Sequence, residues 1–176
     1  MKKIILIIPI IIISFFIIKN YNEEVIIPNE AIRFRVIANS NSKIDQNIKQ
    51  KVRANLERKI ISKMNGIEDV KKAESIINSS ISELETIVKT TLEDNNYDTE
   101  YKVNFGYNYF PEKKYKGVTY KEGKYKSLVV TLGSGKGDNW WCVLFPPLCL
   151  VEAEETEETD DIEYRFFIKD LIDKYF

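Results

Sequence analysis

Apolar residues at every fourth position constrain the fold of this chain more than any other feature of its sequence. The longest series is Ile44, Ile48, Val52, Leu56, Ile60 and Met64. Side chains at this spacing line one face of an α-helix, and Gly66 can end such a helix in the left-handed conformation. Ser42 and Asp45 have the spacing of a capping box, which predicts the start of the helix. A second series between Val70 and Leu92 predicts a second helix.

Alternation of apolar and polar residues marks the strands. Ile32–Ala38 and the segment 101–109 alternate with the period of two that a half-buried strand requires. Segments 117–120 and 125–132 indicate two more strands joined across Glu122-Gly123, where glycine can adopt the positive φ of a tight turn. The apolar helix faces need a sheet to cover. The sequence therefore predicts an α+β domain in which two amphipathic helices pack on a mainly antiparallel sheet of about four strands.

The first twenty residues have the layout of a targeting segment. Lys2 and Lys3 precede an apolar run of fifteen residues, Ile4–Ile18. This run is shorter than the roughly 20 residues of a conventional membrane span, so a secretory signal is favoured. No small-residue cleavage site is evident near its end. Residues 1–20 are therefore either a cleaved signal peptide or a retained N-terminal membrane anchor.

Composition changes after the α+β domain, which we place at residues 28–151. Residues 152–161 carry acids and no bases, and such a run is typical of a solvated linker. A calcium site is the alternative, but the ligand spacing of an EF-hand loop is missing. Residues 162–176 form an amphipathic segment that we expect to dock on the domain, with a membrane-surface or partner-binding helix as the alternative. The residues at helical spacing are Phe167, Leu171 and Tyr175.

The composition excludes most familiar kinds of active site. The chain has no histidine, which removes the commonest general base and the usual zinc ligand. Its 26 Lys and Arg residues nearly balance 27 Asp and Glu residues, so no basic surplus indicates nucleic acid. Three glycines around Lys136 suggest a phosphate loop, but Gly137 stands where that motif needs Ser or Thr. We expect no catalytic residue, cofactor, metal ion or nucleic-acid partner.

The segment 133–149 is the most unusual part of the sequence, because it contains both tryptophans and both cysteines of the chain. Its aromatic and proline residues form either a packed cap on the sheet or an exposed patch that binds a partner. Cys142 and Cys149 are either a disulfide or two buried thiols. A disulfide requires the chain to bend between them, and Pro146-Pro147 make a continuous helix there unfavourable.

Two blocks, residues 31–40 and 135–149, resemble the stage II sporulation protein R family of spore-forming Gram-positive bacteria. The resemblance implies a protein that is made in the forespore and exported into the space between forespore and mother cell. There it would activate a membrane-embedded aspartic protease of the mother cell, which processes the precursor of sigma factor E. The chain would then be a signalling ligand and not an enzyme, and the family supplies no catalytic residue.

Five residues of the two blocks are our candidates for the surface that contacts the protease. They are Arg33, Arg35, Trp140, Trp141 and Phe145. The leading alternative function is a secreted cell-wall hydrolase that uses paired carboxylates, since such chemistry needs no histidine. No particular pair of acids in the sequence indicates that function. A purely structural envelope protein is the third possibility.

Overall fold

The computed structural model describes residues 25–149 and 161–176. Within these ranges the strands are β1 (Val25–Ile26), β2 (Ile32–Ile37), β3 (Tyr101–Phe110), β4 (Lys113–Tyr115), β5 (Val118–Tyr120), β6 (Gly123–Leu132) and β7 (Asn139–Phe145). The helices are α1 (Lys43–Met64), α2 (Val70–Ser79), α3 (Ile81–Glu93) and α4 (Asp161–Tyr175). No helix in the described ranges is both long and apolar enough to span a membrane. The predicted targeting segment 1–20 and residues 152–160 of the acidic stretch lie outside them.

Helix α1 begins and ends where the sequence predicts. Ser42 is its N-cap, and the Ser42 hydroxyl accepts a hydrogen bond from the Asp45 backbone N–H at 3.1 Å. Gly66 follows the helix with φ +72°. All of the apolar series is buried except Ile44, which is 67% exposed. A fourth-residue series drifts by about 40° per step on a helix of 3.6 residues per turn, so its first member turns away from the sheet.

The predicted second helix is two helices, which corrects the sequence-based expectation. The break is at Ser80, whose N–H bonds to the Ile77 carbonyl and not to the carbonyl of Ile76 four residues back. The hydroxyls of Ser79 and Ser80 donate to that Ile76 carbonyl at 3.0 and 2.7 Å. Serine side chains that compete for helical carbonyls in this way end a regular helix.

A four-stranded sheet with the order β3-β6-β2-β7 carries the main core. The central pair β2 and β6 is parallel, and the two outer pairings are antiparallel. Helices α1, α2 and α3 cover one face of this sheet, where Phe34, Val36, Leu128 and Val130 are fully buried. The predicted α+β class and mainly antiparallel sheet are confirmed.

A second sheet, which the sequence did not predict, has the order β1-β5-β4. The expected hairpin across Glu122-Gly123 is wrong, because β5 pairs with β1 and β4 while β6 belongs to the first sheet. The tight turn lies instead at Lys116-Gly117, between β4 and β5, where both residues have positive φ. Two such residues suit the right-handed twist of a hairpin.

Helix α4 packs against this second sheet. Its Tyr164 and Ile168 are fully buried with Val25, Ile27 and Val118. The Tyr175 ring packs edge-on against Phe145 with 5.2 Å between centroids, whereas Phe167 is 40% exposed. Of the three residues at the predicted spacing, Leu171 and Tyr175 pack inward, and Tyr164 and Ile168 take the place of Phe167.

The glycine-rich loop 133–138 is a structural joint between the sheet and the N-terminus of α1. Each of its six backbone N–H groups donates to an oxygen of the protein, and four of those oxygens belong to residues 38–41. No N–H of this loop remains to hold a phosphate, which argues against the phosphate-loop interpretation. A Cβ at Gly137 would lie 2.3 Å from the Ser40 carbonyl oxygen, so glycine permits the close approach.

Gly137→Ala should destabilise the protein by about 1–3 kcal/mol, because the backbone of Ser40 has to move to accept the methyl group. Gly106→Ala is the matched control, since a Cβ there meets nothing nearer than 3.9 Å. It should be neutral or slightly stabilising. Urea denaturation of both variants measures the difference. Equal stability of the two would contradict the close packing of the loop.

Asp45 ties α1 to the end of β2. Its carboxylate accepts hydrogen bonds from the Ser40 hydroxyl at 2.6 Å, the Asn39 amide at 3.1 Å and the Tyr97 hydroxyl. The bond from Ser40 is the largest cause of a pKa of Asp45 below its usual value of 3.8, and the bond from Tyr97 is the next. Asp45 thus links the first turn of α1 to the chain segments that follow β2 and precede β3.

The lowered pKa makes the contribution of Asp45 to stability depend on pH. The ionised carboxylate stabilises the fold above about pH 4, and this contribution is lost as the pH falls from there through the folded pKa. Asp45→Asn should therefore lower the free energy of unfolding at neutral pH and flatten its decline below about pH 4. Urea denaturation across this pH range tests the prediction. If the free energy of unfolding of Asp45→Asn falls with pH as steeply as that of the parent, the Asp45 carboxylate does not cause the decline.

Candidate partner-binding site

The structure brings together three of the five residues that the sequence suggested. In β2 and β7, Arg35 lies directly opposite Trp141, and Arg33 lies one position further along the same face opposite Val143. This is the face of the four-stranded sheet away from α1. Trp140 lies on the opposite face, where it packs edge-on against Phe34 at 5.3 Å. Strand alternation thus separates the two adjacent tryptophans.

Two of the five residues have almost no solvent-exposed surface. Arg33 is 2% exposed and Phe145 is 1% exposed. Phe145 belongs to the main core and contacts the aromatic rings at the end of α4. Arg35, Trp140 and Trp141 are half-buried. Within the segment 133–149, which we interpreted as a cap or a patch, residues 139–145 form an edge strand, and only one side of that strand reaches the arginines.

Aromatic rings surround the Arg33 guanidinium. Its central carbon lies 3.4 Å from the Tyr125 ring centroid and 5.3 Å from that of Phe110. The same Phe110 ring lies 4.8 Å from the Arg35 guanidinium carbon and packs edge-on against Trp141. We call these five residues the arginine–aromatic cluster. Cation–π contacts of this kind favour a guanidinium over an ammonium group.

Two members of the cluster, Phe110 and Tyr125, were not predicted from the sequence. A signal was present in the parity of β3. Tyr101, Val103, Phe105, Tyr107 and Tyr109 share one parity, whereas Phe110 has the parity of the polar residues of that strand. A large apolar residue at the end of the polar face indicates that this face is also covered there. Lys113 lies next to the cluster, with its ammonium nitrogen 5.5 Å from the Trp141 ring centroid. Nothing in the sequence pattern indicated this contact.

The cluster contains buried positive charge without a matching acid. No carboxylate of the described residues forms an ion pair with Arg33, Arg35 or Lys113. Arg33 donates one hydrogen bond, from Nη2 to the Lys121 carbonyl oxygen at 3.3 Å, while its Nε and Nη1 have no acceptor in the described structure. Burial lowers the pKa of both arginines below its usual range. Such an arrangement costs stability unless something else repays it.

A cavity of about 40 Å³ opens beside Arg33. Two cations and six mostly apolar residues line it, namely Arg33, Phe110, Lys113, Tyr115, Tyr120, Trp141, Cys142 and Val143. Lys113 and Tyr115 are exposed at its rim. In the described ranges, no three His, Cys, Asp or Glu side chains gather into a metal site. The chemistry of this site is therefore that of binding an anionic or aromatic group.

A disulfide joins Cys142 in β7 to Cys149 beyond the Pro146-Pro147 bend. Their Cα atoms are 5.6 Å apart, within the usual range for bridged cysteines. The Phe145-Pro146 peptide bond is cis, and the chain turns back there. Both cysteines are buried. The bond fixes the end of the strand that carries Trp141.

Replacing Arg33 and Arg53 by methionine should change stability in opposite directions. Arg33→Met removes an uncompensated buried charge and should raise the free energy of unfolding by roughly 1–3 kcal/mol. Arg53 likewise lies over an aromatic ring, with its guanidinium carbon 4.2 Å from the Trp140 ring centroid, but it forms an ion pair with the buried Glu57 at 3.1 Å. Arg53→Met should therefore destabilise the fold. Chemical denaturation at neutral pH compares the two, and a loss of stability in Arg33→Met would contradict the uncompensated charge.

Comparison with known proteins identifies the family of the chain. Residues 28–155 match the family model described as Stage II sporulation protein R. The chain is 38% identical over 148 residues to the Stage II sporulation protein R of Bacillus subtilis (strain 168). That alignment covers 82% of this chain and 66% of the relative. No solved structure matches. The chain therefore belongs to the stage II sporulation protein R family.

Proposed function

We propose that this chain is an exported signal that activates a membrane-embedded aspartic protease during sporulation. The protease would then process the precursor of sigma factor E in the mother cell. Membership of the stage II sporulation protein R family over residues 28–155 is the observation that carries this proposal. The family is named for sporulation and not for an enzymatic reaction.

Two features of the chain support export. Lys2, Lys3 and the apolar run Ile4–Ile18 have the composition of a secretory signal. The Cys142–Cys149 disulfide suits an oxidising compartment outside the cytoplasm, since thiols stay reduced in most cytoplasms. The protease would meet the signal on the far side of the membrane. Export would then control when activation occurs.

We assign the arginine–aromatic cluster as the surface of this chain that contacts the protease. Interfaces are enriched in Trp, Tyr and Arg, and their strongest contacts lie in desolvated pockets with a polar rim. Trp141 is half-buried at the mouth of the cavity, with Lys113 exposed beside it. To activate the protease, the signal has to bind its active state more tightly than its inactive state.

Reconstitution in a non-sporulating host tests the activity. The full chain is expressed with the protease and the sigma-factor precursor, and processing is followed by immunoblot. We expect processing only when all three proteins are present, and its loss when residues 4–18 are deleted. Absence of processing with the intact chain would overturn the proposal. Release of sugars or peptides from peptidoglycan by the purified chain would favour the hydrolase instead.

Point variants in the same assay test the assigned surface. Trp141→Ala should reduce processing by about tenfold or more, as expected for the loss of an aromatic hot spot. Tyr107→Ala is the matched control, because Tyr107 is a 72% exposed aromatic residue outside the cluster. Immunoblots of the exported fraction verify equal amounts of both variants. If the two variants are equally active, the protease does not bind at Trp141.

A further inference from the structure

The cavity beside Arg33 is more specific than a general aromatic surface. Its one deeply buried charged group is Arg33, which is 98% inaccessible and retains two nitrogen donors, Nε and Nη1, without acceptors in the described structure. Arg35 has a further such donor at Nε. Donors of a buried guanidinium are normally satisfied, because leaving them unpaired costs as much as a lost hydrogen bond or more. The site is therefore arranged to receive an acceptor.

The acceptor has to be an anion. Arg33, Arg35 and Lys113 supply positive charge around Phe110 and Trp141, and none of them forms an ion pair with a carboxylate of the described residues. Hydrogen bonds from a guanidinium to an ionised oxygen are about twice as strong as neutral ones. The low dielectric of the buried site increases this preference. A neutral amide or hydroxyl would leave the positive charge uncompensated.

Size and lining select among anions. A volume of about 40 Å³ admits only a few heavy atoms, since one water occupies roughly 10–15 Å³ on the same measure. Apart from Arg33 and Lys113, the walls are four aromatic rings, Cys142 and Val143. Because these walls are largely apolar, they suit a short aliphatic stem that carries the charge better than a fully hydrated inorganic ion. A carboxylate on one or two methylene groups has this form.

We infer that the cavity binds the side-chain carboxylate of an aspartate or glutamate of a protein partner, which enters past Lys113 and Trp141 and pairs with Arg33. The exposed rim of Lys113 and Tyr115 provides the surrounding contacts of a protein interface. The identity of that partner as the protease rests on the proposed function. The carboxylate pocket itself does not. Burial of an unpaired arginine is then a cost in stability that binding recovers.

Fluorescence titration of the full chain tests the pocket without any partner. The chain is purified in mild detergent with Trp140→Phe, so that Trp141 is the remaining tryptophan. Sodium propionate, which has the stem and charge of a glutamate side chain, should shift the Trp141 emission in a saturable way and raise the melting temperature. Propionamide, its neutral counterpart, should do neither. Sodium chloride at equal ionic strength controls for screening.

Two arginine variants provide the control within the protein. Arg33→Met should raise the dissociation constant for propionate by about tenfold or more, because it removes the charge-assisted hydrogen bonds. Arg53→Met, which alters an arginine on the opposite face of the sheet, should leave the response unchanged. An equal response to propionamide, or an undiminished response in Arg33→Met, overturns the pocket. A response to sodium sulfate alone overturns the carboxylate assignment and identifies a site for inorganic anions.

The reconstitution assay then tests the source of the carboxylate. Lys113→Glu places a negative charge at the rim and should reduce precursor processing about tenfold. Variants of the protease that restore processing should replace an Asp or Glu on its extracytoplasmic side. If Lys113→Glu processes as well as the parent, the protease does not enter this pocket, and the titration alone decides whether the pocket binds a carboxylate. If the parent chain gives no processing, the proposed function fails and the titration alone decides the pocket.

Discussion

The alternation of side chains along β2 is the constraint on which the rest of the structure depends. Phe34 and Val36 point into the main core beneath the helices, and Arg33 and Arg35 point to the other face. Strand β2 lies between β6 and β7, and side chains on both of its faces are buried. The second sheet and α4 cover part of the arginine face. The aromatic rings stabilise the buried guanidinium charges through cation–π contacts.

The balance of forces at Arg33 explains why that face is aromatic and not acidic. A carboxylate from the same chain would neutralise the guanidinium and close the site. The rings of Tyr125 and Phe110 attract the cation through their faces but leave donor nitrogens unsatisfied. Such contacts are weaker than an ion pair in a buried setting. The cluster is thereby held in place by the fold and still able to bind an anion.

The sequence predicted the helices and strands better than it predicted which strands pair with each other. The cap at Ser42, the stripe along α1 and the alternation of β3 are local signals, and each produced the element it predicted. The break at Ser80 depends on which hydroxyls reach the Ile76 carbonyl, and the pairing of β5 away from β6 depends on contacts distant in sequence. The burial of Arg33 was unpredictable for the same reason, since the residues that cover it come from three later strands.

The register of β7 links these features. A slip of one residue would exchange Trp140 and Trp141 between the faces, because side chains alternate along a strand. Edge strands are where such slips occur most easily, and β7 is an edge. The loop before it is fixed by the bond from the Gly137 N–H to the Ala38 carbonyl at 2.9 Å, and the chain after it is fixed by the Cys142–Cys149 disulfide. The glycines and cysteines that flank the tryptophans thus serve one purpose, which is to hold Trp141, and not Trp140, beside the arginines.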